Sequence, residues 1–309
     1  MEFLHKTNID FIGMKKISFV ISGIISIIGI LGIIAIGRGT ANMGIDFSGG
    51  TSMQLKFSQP VTIEAAREAL AKGGLKEVEL QEITGGNQLL FKMHKSEIAS
   101  GSVADSVQAI LKQSFPANPF TVESSTEIGP SIGEKLKKDT LVAVALSMLG
   151  IILYIAWRFD FKFGVAAVAA TMHDVLAIIA VFYVLNKEVN LLLITAVLTI
   201  AGYSLTDTVV VFDRIRENMH KSMKDPLVDI FNRSINETLS RTIITSVTTF
   251  LAAISLFLFG GEVIHDFAFA LVVGIVVATY SSIFVASPIV ALWEKEPLQA
   301  KSSTAETKA

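Results

Sequence analysis

The 309-residue chain has no cysteine. Disulfide frameworks, thiolate zinc sites and thiol nucleophiles are therefore excluded. Histidine is scarce, with five scattered copies, so no metal-ligand spacing arises, and no cofactor is expected. No basic tract is present and the formal net charge is only −2, so nucleic acid is not an expected partner. Charge of either sign is thin: 17% of residues are charged against 51% apolar. The mean hydropathy of +0.57 is too high for a soluble domain.

What the chain has instead is long apolar blocks. A bilayer span takes about 20 apolar residues of helix. Six such spans are read, over 17–36, 141–157, 163–185, 191–212, 243–259 and 267–292. Lipid offers no hydrogen-bond partners, so each is expected to be helical. The first follows Lys15 and Lys16, as the core of a signal peptide would. Its run is longer than a leader's and no A-x-A site follows, so an uncleaved anchor is expected. Lys6, Lys15, Lys16, Arg158, Lys162, Arg214, Arg216, Lys221, Lys224 and Arg233 fall on one side of the spans. Lys187 is alone on the other, and the Gly260–Gly261–Glu262 turn has no cation. Positive charge stays inside. Residues 1–16 and 293–309 are therefore expected in the cytoplasm, with 37–138 outside.

Residues 37–138 have soluble composition. Met53, Leu55 and Phe57 alternate with polar residues, as a half-buried strand does. Ile63, Ala66 and Leu70 switch to helical spacing, with Thr62 and Glu64 at the N-terminal end. Val78 and Leu80 alternate again, Thr84 to Asn87 makes a hairpin turn, and Leu89, Phe91 and Met93 continue beyond it. Val103, Val107, Ile110 and Leu111 form a second helical face, and Phe120 and Val122 begin a last strand. The order β-α-β-β-α-β predicts a ferredoxin-like unit. The fold class is thus a six-span helical membrane protein with an extracytoplasmic α+β domain between the first two spans. No catalytic pair stands on that domain, so it is not expected to be an enzyme. The "GIDFSGGT" string, Gly44 to Thr51, lacks the lysine of a phosphate loop and reads as a span-to-strand joint. A sheet edge suits binding of an extended chain.

The spans themselves carry polar groups. A charge at mid-membrane costs about 2.5–3.5 kcal/mol on insertion scales, so such groups mark function or a partner. Thr195, Thr199, Tyr203 and Asp207 recur every fourth residue, with Gly202, Ser204 and Thr206 beside them. Arg241, Thr245, Thr248 and Thr249 make a second stripe, and Thr171, His173 and Asp174 lie halfway along the third span. The stripes are expected to face one another around a wet interior. Asp207, Arg241, His173 and Asp174 are then the material of a proton relay, with Thr199, Tyr203, Ser204, Thr206 and Thr245 in support. Plainer readings exist for each: a carboxylate satisfied by hydroxyls, an arginine reaching to the headgroups, a satisfied buried His–Asp pair. Ser22, Ser26 and Gly29, and likewise Gly274 and Ala278, read as small-residue packing seams.

"GIDFSGGT", "HDV" (His173 to Val175), "GYSLTDTVVVFDRIREN", "SRTIITS" and "FGGEVIHDFAFALVVGIVVATYSSIFVASP" together resemble the SecF members of the SecD/SecF family of bacterial protein export. Thr206 stands where the family usually has asparagine. The resemblance covers almost the whole chain and implies the resistance-nodulation-division superfamily. It implies pairing with SecD into a twelve-span unit, work with the SecYEG channel on a translocating polypeptide, and use of the proton gradient in the bacterial cytoplasmic membrane. It places the relay aspartate and arginine at Asp207 and Arg241, with a further carboxylate from SecD and lipid around the rest. Three rivals are a half-transporter exporting lipids or small molecules, an intramembrane aspartyl protease using Asp174 and Asp207, and a purely structural subunit. The first calls for an apolar cleft in the outer domain. The second calls for a G-x-G-D string, whereas Asp207 follows Ser-Leu-Thr. The third leaves the buried charges unexplained.

Overall fold

The computed structural model describes residues 7–75, 78–83, 87–94, 103–222 and 224–294. Among them, six helices are long and apolar enough to cross a membrane: α1 (Lys15–Arg38), α5 (Pro130–Arg158), α6 (Phe161–Val184), α7 (Leu191–Lys221), α8 (Leu227–Phe259), and a last span, Val263–Trp293. The last is α9 (Glu262–Ser281), a π turn at Ser282–Ala286 and α10 (Ser287–Trp293). Between α1 and α5 come α2 (Ile45–Ser48), β1 (Gly50–Phe57), α3 (Ile63–Lys72), β2 (Glu79–Ile83), β3 (Gln88–His94), α4 (Val103–Ser114) and β4 (Phe120–Ile128). The expected turn at Thr84–Gly86 lies outside the described residues, as do residues 1–6 and 295–309.

Three helices run well past their apolar stretch, and α5 already begins at Pro130 instead of 141. α7 continues to Lys221 instead of stopping at 212, and α8 begins at Leu227 instead of 243. Hydropathy marks only what needs lipid. The polar turns of α7 and α8 are held by Arg214–Glu217, Lys221–Glu217 and, between these two helices, Arg214–Glu237, each at 2.6 Å. Such exposed pairs each add little, but extending a helix that is already nucleated requires little.

Two compact units divide the chain: Met1–Thr40 with Ala145–Lys187 and Thr195–Ala309, and Ala41–Val144 with Glu188–Ile194. In the helical unit, α6 is the most enclosed span. Ala166, Ala167, Ala170 and Ala177 on it are buried and admit close neighbours. α1 packs on α6 through Gly29 and Gly32, and Ser18, Ser22 and Ala35 of the same helix are buried as well. A Cβ on Gly29 would stand 2.3 Å from the Leu176 carbonyl oxygen, so the backbones touch there. Ser26 is only half-buried, and the seam runs on to Gly32 and Ala35. Phe11, Phe163, Phe212, Phe231, Ile235 and Val290 gather in the largest apolar cluster.

Residues 7–14 are not a loose tail. Phe11 and Ile12 are buried. Asn236 on α8 holds both backbone groups of Ile9, accepting from its N–H at 3.1 Å and donating to its carbonyl at 2.9 Å. Asn232, one turn earlier, accepts from the Ile12 N–H at 3.0 Å and donates to Asp10 Oδ1 at 2.8 Å. The Asp10 carboxyl, which also accepts from the Gly13 N–H, is held below its ordinary value of 3.8 by these donors.

The second unit is an antiparallel sheet of order β2-β3-β1-β4 with α3 and α4 on one face. This is the ferredoxin-like order. Met53, Leu55 and Phe57 of β1 and Leu89, Phe91 and Met93 of β3 face Leu70, Val107 and Leu111 of the helices. Thr62 caps α3 by accepting from the Ala65 N–H at 3.3 Å. The β1–β4 register shifts between Gln54 and Leu55.

Candidate functional site

Two carboxylates lie within the helical unit, and their surroundings differ. Asp174, on α6, is fully enclosed at 0% exposure. Its Oδ2 accepts from Ser204 Oγ on α7 and from Ser281 Oγ on α9, the latter at 2.8 Å. Its Oδ1 lies 3.1 Å from His173 Nδ1. Two hydroxyl donors and the adjoining imidazole satisfy this carboxyl group. His173 is buried too, with its ring 6.1 Å from that of Tyr280, and its Nε2 has no partner among the described residues. Tyr280 in turn donates to the Ser18 carbonyl on α1 at 3.1 Å and lies 3.2 Å from Ser22 Oγ. One polar knot therefore joins α1, α6, α7 and α9.

Asp207, on α7, is only half-buried. Its Oδ1 accepts from Thr242 Oγ1 on α8 at 3.0 Å, and its Oδ2 is buried with no partner among the described residues. The next residue, Thr208, meets Ser282 at 3.0 Å. One turn before Asp207, Tyr203 donates to Ser246 Oγ on α8 at 3.2 Å, and Thr279 of α9 donates to the same oxygen at 2.7 Å. Ser281 and Ser282 sit where the last span widens into its π turn. Pro288 explains the widening: its ring has no N–H for the Phe284 carbonyl and would collide with it. Ser287 Oγ donates to the Ser282 carbonyl at 2.9 Å. Widened turns of this kind recur at functional sites.

The expected stripes meet only in part. Rows of every fourth residue drift by about 40° per step, because the helix repeats at 3.6. On α7, Thr195 and Thr199 are exposed, while Tyr203 and Asp207 turn inward. Thr206 is exposed and bonds back to the Gly202 carbonyl at 3.1 Å, as Thr199 does to Thr195 at 2.8 Å. On α8, the hydroxyls that reach α7 are Thr242 and Ser246, one position beyond Arg241 and Thr245. Arg241, Thr245, Thr248 and Thr249 lie on an exposed face, and the threonines bond back to their own helix at 2.8–3.0 Å. Ser204, read as a supporting residue, is a direct partner of Asp174. The sequence does not mark Ser281, Ser282, Thr242 or Ser246, since a lone hydroxyl in an apolar run carries no periodic signal. Among the described residues no cluster of His, Asp and Glu is placed to hold a metal ion.

Comparison with known proteins bears directly on this arrangement. The family described as protein export membrane protein SecD/SecF, C-terminal, matches residues 106–296, and the SecD/SecF GG motif matches residues 40–61. The protein translocase subunit SecF of Thermodesulfovibrio yellowstonii is 51% identical over 300 residues, covering 96% of this chain and 99% of that one. Its counterpart in Calditerrivibrio nitroreducens is 41% identical over 291 residues, covering 93% and 95%. The crystal structure of SecDF, a translocon-associated membrane protein from Thermus thermophilus, superposes with a TM-score of 0.80 at 36% identity over 93% of this chain. SecDF in its super-membrane-facing form gives 0.67 at 35% identity over 94%. In both cases the chain spans 39% of the SecDF length. With both profiles matched, a relative 51% identical nearly end to end, and the SecDF backbone reproduced, the chain is a multi-pass membrane protein belonging to the SecD/SecF family.

Proposed function

We propose that the chain is the SecF-type subunit of a bacterial Sec translocase. With SecD it couples proton flow through the membrane to late-stage export of a polypeptide passing the SecYEG channel. The observation that carries this reading is the pairing of Asp207, with one unpartnered buried oxygen, with an exposed polar face on α7 and α8. A guanidinium and a row of hydroxyls facing hydrocarbon would cost several kcal/mol, so that face calls for a polar partner. SecDF, of which this chain spans 39%, supports SecD as the partner. The apolar faces of α1 and α5 are left to lipid. The membrane is the cytoplasmic one, with both termini inside and the sheet unit outside.

In this reading Asp207 carries the proton. A proton arriving on Oδ2 neutralises the carboxylate and weakens its hold on Thr242, since a hydrogen bond to a charged group is worth about 1.5–3 kcal/mol against 0.5–1.5 for a neutral one. One charge crossing 100 mV is worth about 2.3 kcal/mol. The two are of one size, so a single proton is enough to bias the α7–α8 contact. Arg241, adjacent to Thr242 on α8, stands on the exposed face that the partner closes. We assign to His173 and Asp174 the holding of α6, α7 and α9 in register around that step. The sheet unit transmits the motion to the exported chain.

Export by inverted vesicles containing SecD, with and without a proton gradient, tests this. Asp207→Asn and Arg241→Met should still assemble but lose gradient stimulation. Arg241→Lys should keep part of it, because charge survives without the planar fork. Full stimulation in Arg241→Met would remove the guanidinium from the pathway.

A further inference from the structure

The glycine motif is not absorbed by the relay, yet it lies where several elements of the sheet unit converge. Asp46, in α2, reaches across 145 positions of sequence: its Oδ2 accepts from the Leu191 N–H, the first of α7, at 2.9 Å. Asn190 caps the same helix locally, accepting from the Leu193 N–H at 2.9 Å. The first turn of a helix leaves four N–H groups without intrahelical partners. For α7, the motif supplies one acceptor and the adjoining loop another.

The loop before α7 is held to the same motif by backbone bonds. Gly44 N–H donates to the Val189 carbonyl at 2.9 Å, and Val189 N–H donates to the Asn42 carbonyl at 2.7 Å. A Cβ at Gly44 would stand 2.4 Å from Glu188 Oε1 and 2.9 Å from Asn190 Cβ. Only glycine lets the loop lie that close. Glu188 also pairs with Lys92 of β3, with both side chains mostly buried. Lys92 is in register with Ser52 of β1. The first turn of α5 rests here as well: a Cβ at Gly133 would lie 3.1 Å from the Gly49 nitrogen, and Gly49 itself has φ +72°.

We propose that Asp46 is a positioning residue that locks the first turn of α7 to the sheet unit, so that displacement of α7 on protonation of Asp207 is delivered to the sheet. The inference rests on the proton-coupling reading above. A flexible loop would let α7 shift without moving the sheet. A carboxylate on the helix's first N–H, backed by two backbone bonds and an ion pair on the adjoining loop, removes that slack. The helix dipole adds to the grip, because a negative charge is favoured at an N-terminus. A mere cap would matter for stability alone, whereas a joint matters for transmission.

The test uses the full chain reconstituted with SecD. With no native cysteine to remove, spin labels are placed at Lys56→Cys on β1 and His220→Cys near the far end of α7. Their separation is measured at two pH values by pulsed electron resonance. In the otherwise wild-type chain the separation should shift with pH. Asp46→Ala should abolish the shift while the complex still assembles. Asp46→Asn, whose amide oxygen can accept the same N–H, should restore at least half of it. A wild-type shift in Asp46→Ala, with none in Asp207→Asn, overturns the joint and leaves the relay standing. A full shift in Asp207→Asn, or none in the wild-type chain, overturns the relay on which the joint rests. If Asp46→Ala does not assemble, Glu188→Gln loosens the other tie to the loop and should reduce the shift by about half. An undiminished shift there counts against the joint.

Discussion

The same isosteric change should destabilise the chain at Asp174 and leave its stability nearly unchanged at Asp207. Asp174→Asn leaves one oxygen for Ser204 and Ser281 but turns an amide nitrogen toward His173 Nδ1, and the bonds lose their charge. A charge-assisted bond exceeds a neutral one by about 1 kcal/mol. With two hydroxyl bonds and the imidazole contact all affected in an enclosed site, the loss is about 2–4 kcal/mol. For a chain of this size 1 kcal/mol moves the midpoint by about 2–4 °C, so a fall of roughly 5–15 °C is expected. Asp207→Asn weakens the bond from Thr242. It also removes a charge whose second oxygen is buried without a partner, which offsets that loss. Its midpoint should stay within about 3 °C of wild type, on the same slope. The assay is thermal denaturation of the purified chain in one detergent, followed by fluorescence and by loss of monodisperse protein. Equal midpoints for Asp174→Asn and wild type would refute the framework role of Asp174. A large fall in Asp207→Asn would make that carboxylate a structural one.

Three further outcomes follow from other parts of the molecule. Gly29→Ala forces a Cβ onto the Leu176 backbone and should cost about 1–3 kcal/mol; Gly23→Ala, with nothing within 4 Å, should be neutral or slightly stabilising in the same melt, and equal effects would contradict the α1–α6 seam. The Asp10 carboxyl has its native value below 3.8, so its support of the N-terminal segment is complete above the ordinary value and is lost as pH falls through the native one. Exchange protection of the Ile9 and Ile12 amides should therefore drop at acid pH, and Asp10→Asn should flatten that dependence; unchanged protection in acid would contradict it. Single cysteines at Gln59 and Glu262 should react with an impermeant maleimide on intact cells and one at Lys221 should not, and the reverse pattern would invert the topology.

The six spans and the sheet unit are legible because each rests on a repeat written in the chain: long apolar runs for the spans, and alternation against 3.6 spacing for β1, α3, β3 and α4. The polar ends of α7 and α8 are not legible, because they are stabilised by each other's charges, such as Arg214 with Glu237, rather than by an apolar run. Asp207 and Asp174 stand out in sequence because a carboxylate among apolar residues is costly. Their partners do not. Thr242, Ser246 and Ser281 are cheap to bury, and which of two adjacent positions faces a neighbour depends on how the helices are rotated. The Asp46–Leu191 bond joins residues 145 positions apart, and no local pattern encodes it. The docking of Phe11 and Ile12 is not legible either, because it rests on Asn232 and Asn236, more than 200 positions away.

Proton movement itself gives the most direct test of Asp207 as the carrier. Proteoliposomes holding the chain with SecD and an entrapped pH-sensitive dye are given an imposed gradient and potential. The wild-type pair should dissipate the gradient faster than empty vesicles, and Asp207→Asn should match the empty vesicles while Thr206→Asn keeps the wild-type rate. Dissipation by Asp207→Asn at the wild-type rate would contradict the assignment of the proton to Asp207.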